Sequence, residues 1–386
     1  MGSSAFAINN HFRSLKDPRL NRRKRHLLID IITIAICGVI SGCDDWQQVE
    51  VFGKNRRDWL KKFLHLPNGT PSHDTFERVF DRLDPAQFQR CFRNWMNALC
   101  EALSLKHIAI DGKTLRSSGR GKLKALHLVS AWATANQLSL GQVAVDEKSN
   151  EITAIPELLD LLCVKGALVT IDAMGCQKEI AAKIIERGGD YILTVKDNQP
   201  TLLADIQESL IQAIETEFAG LDYDEFTTTN KGHGRQETRT YTIIKNPLTL
   251  TQKDLWQDLK VIGMCESVRI VGNPETAPES VTESTEIRYF IGSRSASAKT
   301  YGNALRGHWG IENTLHWQLD VGFGEDENRV SGRNGAENLA LVRRLALSLL
   351  KQHPSKQSIA CKRLNAALDV AFLEEVLLGI PSSGKV

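Results

Sequence analysis

Little in this 386-residue chain points to a partner by bulk composition. Its 48 Lys and Arg nearly balance 46 Asp and Glu, leaving a net charge of +2, so whole-chain charge argues for no ligand class. None of the eight cysteines, at 37, 43, 91, 100, 163, 176, 265 and 361, forms a CxxC pair, which argues against a zinc ribbon. Cys37 and Cys163 sit in apolar runs, as buried free thiols do in a reducing compartment. The longest apolar run, residues 27–40, holds 14 residues and contains Asp30. It is too short to cross a bilayer and reads as a buried helix. No basic, apolar and small-residue leader opens the chain, so a cytoplasmic protein with no membrane partner is expected. Internal repeats and low-complexity tracts are absent too.

What is present is a soluble globular composition, 42% apolar and 24% charged, with room for about two or three domains. Charge is unevenly placed. Residues 11–26 carry seven Lys or Arg against one Asp, whereas 201–229 carry seven Asp or Glu and no Lys or Arg. A basic arm of this kind suits phosphates, or is simply a solvated terminal segment.

Residues 1–100 read as an all-helical domain. Apolar residues recur at helical spacing in 46–64, at Trp46, Val49, Phe52, Trp59, Leu60, Phe63 and Leu64. Ser72 or Asp74 is a candidate cap for a helix carrying Phe76, Val79, Phe80 and Leu83, and Asp84-Pro85 opens the next one. From about residue 105 the pattern becomes β-rich, with strands expected at "KHIAIDG", "ALHLVSAWAT" and "LSLGQVAV". A helix at "AIPELLDLLC" follows, then a β-α-β unit at "ALVTID", "CQKEIAAKIIERG" and "DYILTVK". An acidic helix at 201–218 precedes a β-rich insertion, read as separate from the alternating sheet, at about 220–293. Helices return at "KTYGNALRGHWGIENTLHWQLD" and "AENLALVRRLALSLLKQH". The fold class is mixed α/β: a helical domain at 1–100, then an α/β domain at 101–386 that contains the insertion.

Two strands end on a carboxylate, Asp111 in "IAIDGK" and Asp172 in "VTIDAMGC". Sites form beyond the carboxyl ends of parallel strands. Neighbouring strands lie about 5 Å apart, so two aspartates there repel unless a cation or a proton intervenes. Mg²⁺ or Mn²⁺ is the natural guest of clustered carboxylate oxygens. The plain alternative is that each Asp starts a turn, as Asp-Gly does at 111–112. Glu312 offers a third acid on a helix. His308 and His316 lie four residues to either side of it, on the same helical face, which also admits a zinc hydrolase site.

The stretches "AIDGKTLRSS", "TIDAMGCQKEIA", "GDYILTVKDNQ", "KGHGRQETR" and "HWGIENTLHWQLDVGFGEDENR", in this order, resemble the H-repeat-associated group of bacterial insertion-sequence transposases. The helical part, with "DPR", "GCDDW" and "NGTPSHDTFERVF", resembles that family's associated amino-terminal domain. The resemblance covers about residues 10–350 and implies an RNase H-like catalytic core with an Asp-Asp-Glu triad, Asp111, Asp172 and Glu312, holding two Mg²⁺ ions, with Mn²⁺ as a substitute. It implies a DNA-binding transposase that cuts the terminal repeats and joins 3′ ends to target DNA. In such chemistry one ion activates water or a 3′-hydroxyl and the other stabilises the leaving oxygen.

Lys113, Arg116, Lys196, Asn198, Gln199 and Arg306 fall in these motifs and are candidate phosphate contacts. Arg235 is another, the "GHGR" glycines allowing a close approach to DNA. Arg22, Arg23, Lys24 and Arg25 form a phosphate-contacting arm of the helical domain. Related transposases set Tyr, Arg and Lys at fixed spacing around the glutamate. Here 308 is His and 319 is Leu, with Tyr301 and Arg306 displaced. The resemblance further implies a dimer or larger assembly on DNA and a place at the bacterial nucleoid. A catalytically decayed, DNA-binding remnant of such an element is the alternative, although all three acids are intact.

Overall fold

The computed structural model describes residues 8, 10–100, 106–119, 124–146, 149–232, 234–247, 250–272, 282–328, 330 and 332–378, without the side chains of 23 and 97–100. The amino-terminal region is helical: α1 (Leu28–Ile40), α2 (Trp46–Asn55), the single turn α3 (Arg57–Leu60), α4 (His73–Arg82) and α5 (Pro85–Cys100). The apolar run at 27–40 forms α1, which is buried almost throughout. Asp30, the one charge in that run, accepts a hydrogen bond from Leu66 N at 3.0 Å. Burial nevertheless pushes its carboxyl up. Ser72 is the N-cap of α4, but its hydroxyl meets Thr75 Oγ1 at 3.2 Å. Glu50 of α2 takes the His73 N–H instead, at 2.7 Å. Asp84 caps α5 by accepting from Gln87 N at 3.0 Å.

The strands are β1 (His107–Leu115), β2 (Leu126–Ala133) and β3 (Leu138–Ala144). Then come α6 (Glu151–Leu161), β4 (Leu168–Ile171), α7 (Lys178–Glu186), β5 (Asp190–Val195) and α8 (Pro200–Glu215). Long strands follow, β6 (Tyr223–Gly232), β7 (Arg235–Lys245), β8 (Val261–Val271) and β9 (Thr282–Gly292). The chain ends in α9 (Ala298–Ile311), a π-helical turn (Glu312–His316), α10 (Trp317–Phe323), α11 (Arg333–Gln352), α12 (Ile359–Leu368) and α13 (Val370–Leu378). No described helix is long and apolar enough to cross a membrane.

Among the described residues the strands make a nine-stranded mixed sheet in the order β3-β2-β1-β4-β5-β9-β8-β7-β6. β1, β4 and β5 run parallel, and β2 pairs β3 antiparallel. The stretch β3-β2-β1-β4-β5 is the strand order of an RNase H-like core. The insertion differs from the sequence reading in one respect. It does not stand apart, because β9 pairs antiparallel with β5 and β8, β7 and β6 extend the same sheet outward. Antiparallel pairing needs only hairpin connections, so the added strands grow from the edge left by β5.

Two compact units divide the chain. One joins residues 1–104, 112–150 and 310–386. The amino-terminal helices therefore share a core with carboxyl-terminal ones: α11 packs on α1, α4 and α5, and on β3. That explains why α11 is buried around nearly its whole circumference. Asn338 Nδ2 donates to the carbonyls of Phe80 and Leu83 at 2.8 and 3.1 Å, closing the end of α4. At the centre of this unit, Arg344 Nη1 meets Glu325 Oε1 at 2.9 Å with both side chains fully enclosed. Burial pushes the Glu325 carboxyl up, but Arg344 and Lys113 outweigh it and hold the group below its ordinary range. His316, beside Arg344 and Lys113, is driven down to about 3, mainly by burial.

The other unit holds residues 105–111 and 151–309. Here α9 lies so close to β9 that a Cβ added at Gly292 would sit 2.3 Å from the Tyr301 hydroxyl. The Tyr301 O–H donates to Arg294 O at 2.7 Å. A second polar tie holds the other end of α9. Thr170 Oγ1 of β4 stands 2.8 Å from His107 Nε2 and 3.1 Å from His308 Nδ1. A hydroxyl has one proton to donate, so one imidazole accepts from Thr170 and the other donates to it. Burial drives both histidines down to about 4, so both are neutral near pH 7.

Two outcomes follow for stability. Arg344→Met leaves the buried Glu325 with Lys113 as its remaining ion-pair partner, 3.4 Å away, and lowers the urea-unfolding free energy by about 3 kcal/mol. Adding Glu325→Leu recovers part of that loss, and a single variant no less stable than wild type would contradict this account. The folded pKa values of His107, His308 and His316 are depressed, so their contribution is complete above about pH 6.5 and is lost as pH falls toward 4. Between pH 7 and 5.5, stability drops by about 1 kcal/mol per histidine, and His308→Gln flattens that slope in urea titrations at the two pH values.

Candidate active site

Asp111 and Asp172 are placed by backbone pairing. β1 and β4 match His107 with Leu168, Ile108 with Val169, Ala109 with Thr170 and Ile110 with Ile171. Asp172 follows β4 directly, and Asp111 follows the last paired residue of β1, a strand that does not end there as the sequence suggested but runs on to Leu115. Parallel neighbours lie about 4.8 Å apart, so the register brings the backbones of Asp111 and Asp172 onto adjacent strands just past the last rung. The strands enter the core because Ile108, Ala109 and Ile110, and Val169 and Ile171 opposite, are almost fully buried.

Asp172 also shapes the loop that follows it. Its Oδ1 accepts from Met174 N at 3.1 Å and Gly175 N at 3.4 Å. Asn198 Nδ2 donates to Ala173 O at 2.7 Å, and Gln199 Nε2 to Cys176 O at 2.9 Å. Asn198 and Gln199, expected at phosphates, thus brace the Asp172 loop in this structure. Burial pushes the Asp172 carboxyl up and the charge of Glu151 adds to it, while the two N–H groups and Lys196 oppose. Crowded hard oxygen donors short of positive charge suit a divalent ion such as Mg²⁺. Among the described residues no group of three or more His, Cys, Asp or Glu is gathered as an ion site.

Glu312 is exposed and begins the π-helical turn. The structure corrects the expected His308–Glu312–His316 row. A π turn carries i→i+5 hydrogen bonds, and such bulges recur at functional sites; the row is broken because its histidines face different partners. His308 points onto Thr170 in one unit and His316 is enclosed near Lys113 and Arg344 in the other. The zinc site loses its ligand row.

The remaining candidates sort by surroundings. Lys113 is buried, its Nζ bonded to Asp320 and 3.4 and 3.5 Å from Glu325 and Asp326. Arg116 is 83% exposed, with Asp326 at 3.6 Å. Lys196 is exposed beside Asp172. Arg306 is exposed and donates to Asn230 Oδ1 at 3.1 Å. Arg235 is exposed where β6 and β7 close at Gly232↔Arg235, with Gly234 at φ +69°. There glycine serves the left-handed turn. Arg22, Lys24 and Arg25 are exposed; the side chains of Arg23 and His233 lie outside the described residues.

Sequence reasoning missed Thr170 and His107, the anchors of His308, because a threonine inside a strand carries no signal of a partner 138 residues away. It also missed Trp309, which lies under two guanidinium groups, Arg288 at 4.5 Å and Arg239 at 5.3 Å.

Residues 103–349 match the family described as Transposase DDE domain, and residues 9–96 match the one described as DDE_Tnp_1-associated. The chain is 40% identical to the putative transposase YncI of Escherichia coli O157:H7, covering 96% of this chain and 94% of that one. It is 38% identical to the H repeat-associated putative transposase YhhI of Escherichia coli K12, covering 96% and 98%. A piggyBac transposase synaptic complex with hairpin DNA overlays at a TM-score of 0.38 and 9% identity, covering 95% of this chain and 76% of that one. That likeness is too loose to bear on the site. With a strand order of the RNase H-like kind and matched domains spanning most of its length, the chain belongs to the DDE transposase family, alongside its H repeat-associated members.

Proposed function

We propose that the protein binds the terminal repeats of a bacterial insertion sequence, cuts phosphodiester bonds there and joins the 3′ ends to target DNA. The observation that supports this reading is the β1–β4 register, whose last rung, Ile110↔Ile171, is followed in each chain segment by an aspartate, Asp111 and Asp172. Asp111, Asp172 and Glu312 would hold two divalent ions, Mg²⁺ or Mn²⁺. Those ions, when bound, supply positive charge at the scissile phosphate and lower the pKa of attacking water.

The chain's own groups do the positioning. The backbone N–H groups of Met174 and Gly175 fix the rotamer of Asp172. Asn198 and Gln199 hold the loop that carries those N–H groups. Lys196 places a mobile positive charge beside Asp172, suited to an incoming phosphate. His308, seated on Thr170, anchors the helix four residues before Glu312. Arg116, Arg235 and Arg306 are exposed cations for the DNA backbone. No covalent protein–DNA intermediate is needed. Assembly on two DNA ends takes at least two protomers, so a dimer or larger complex on nucleoid DNA belongs to this reading.

Asp111→Asn, Asp172→Asn and Glu312→Gln each reduce Mg²⁺-dependent nicking of terminal-repeat DNA on the order of a thousandfold or more, with unchanged circular dichroism. Full activity in all three variants would remove the assignment.

A further inference from the structure

The amino-terminal basic segment is not a loose arm. Arg19 grips Asp17 with Nε and Nη2, both at 2.9 Å, and its Nη2 donates to His26 O at 2.8 Å. His26 Nδ1 lies 3.2 Å from Gly69 O, and Asn68 Nδ2 donates to Arg25 O. The segment is thus folded on itself and pinned to the loop ahead of α4. Between this segment and α4 lies a cleft of about 740 Å³. The basic segment contributes Arg19, Arg22 and Arg25 to its lining, and α4 contributes Arg78 and Arg82.

The lining contains no Asp or Glu and no Phe, Tyr or Trp. Apart from Val79 it consists of guanidinium, imidazole, amide and hydroxyl groups. Among the described residues, Asp17 engages Arg19 and Lys24, while Arg22, Arg25, Arg78 and Arg82 have no ion pair. Four unneutralised guanidinium groups around one cleft repel one another, a cost that an anion removes. Arg78 and Arg82 are four apart on one helix face, about 5–6 Å between Cβ atoms, so they present two forks in a row. Guanidinium forks match phosphate oxygens two at a time. Without an aromatic platform the cleft offers no stacking for an unpaired base.

We propose that this cleft is a clamp for consecutive backbone phosphates of duplex DNA, with Arg78 and Arg82 on one jaw and Arg22 and Arg25 on the other. The proposal rests on the reading of the protein as a DNA transposase and adds to it where, and by which chemistry, the amino-terminal helices grip the duplex. Because the contacts are to phosphate, the clamp positions the protein without reading bases.

The test uses the full chain and a fluorescein-labelled duplex of arbitrary sequence, with affinity followed by anisotropy across a salt series. Losing two phosphate contacts in Arg78→Ala/Arg82→Ala weakens binding about 30-fold near 0.15 M salt and lowers the log–log salt slope by about 2. The same loss appears with a terminal-repeat duplex. Arg78→Lys/Arg82→Lys keeps most of the slope, and Lys61→Ala/Lys62→Ala, exposed lysines outside the cleft, leaves it unchanged. Circular dichroism checks the fold of each variant. Unchanged affinity and slope in the arginine-to-alanine variant overturns the clamp, as does a loss confined to the terminal repeat. Neither result touches the triad, which is read by nicking. Failure of the wild-type chain to bind duplex DNA at all would instead overturn the underlying transposase reading.

Discussion

Four backbone rungs between β1 and β4 are the constraint on which the site depends. They end at Ile110↔Ile171, and the chain places an aspartate immediately after each of those residues. A slip of one residue would offset the two aspartates along the strands by about 3.3 Å and flip the side chains of the shifted strand to its opposite face. The register is held because Ile108, Ala109, Ile110, Val169 and Ile171 are almost fully buried. The same burial that stabilises the sheet pushes the Asp172 carboxyl up, and the charge of Glu151 adds to it.

Polar side chains inside the fold are spent on holding that arrangement steady. Thr170, in the third of the four rungs, is gripped by His107 from its own sheet and by His308 from α9. Neutral imidazoles suit this role, because a buried charge would carry a large desolvation cost. Asn198 and Gln199 stabilise the loop after Asp172 in the same way. In the other unit, Glu325, Arg344 and Lys113 form a buried charge network that contributes little net stability while intact, yet costs several kcal/mol when one partner is removed. A π-helical turn at Glu312–His316 lies in the segment that links α9 to α10.

Much of this was legible along the chain. Alternating and continuous apolar runs located β1 to β5, and helical spacing located α1, α4 and α5 with their ends close to where they fall. The Asp84-Pro85 cap forms as its residue types require. The β-rich segment after residue 220 was legible as strands, but its attachment to β5 was not, because strand pairing is a contact between residues about 100 apart in sequence. The Ser72 cap was located correctly while its hydrogen bond went to Thr75 and its expected role to Glu50. Competition among nearby acceptors is invisible to a pattern.

Sequence alone determined which residues form most strands and helices, that an aspartate directly follows β4, and which motifs mark the family. These follow from local periodicity and residue type, which act over a few positions. The sequence reading ended β1 at Asp111, whereas the strand runs on to Leu115. Tertiary structure decided what each charge is for. It buried Lys113 among three acids, turned Asn198 and Gln199 into braces, and broke the His308–Glu312–His316 row. It also brought Arg22, Arg25, Arg78 and Arg82 to the lining of one cleft. A charged side chain reaches only a few ångströms, so its partner is whatever the folded chain brings there, and sequence distance carries no record of that.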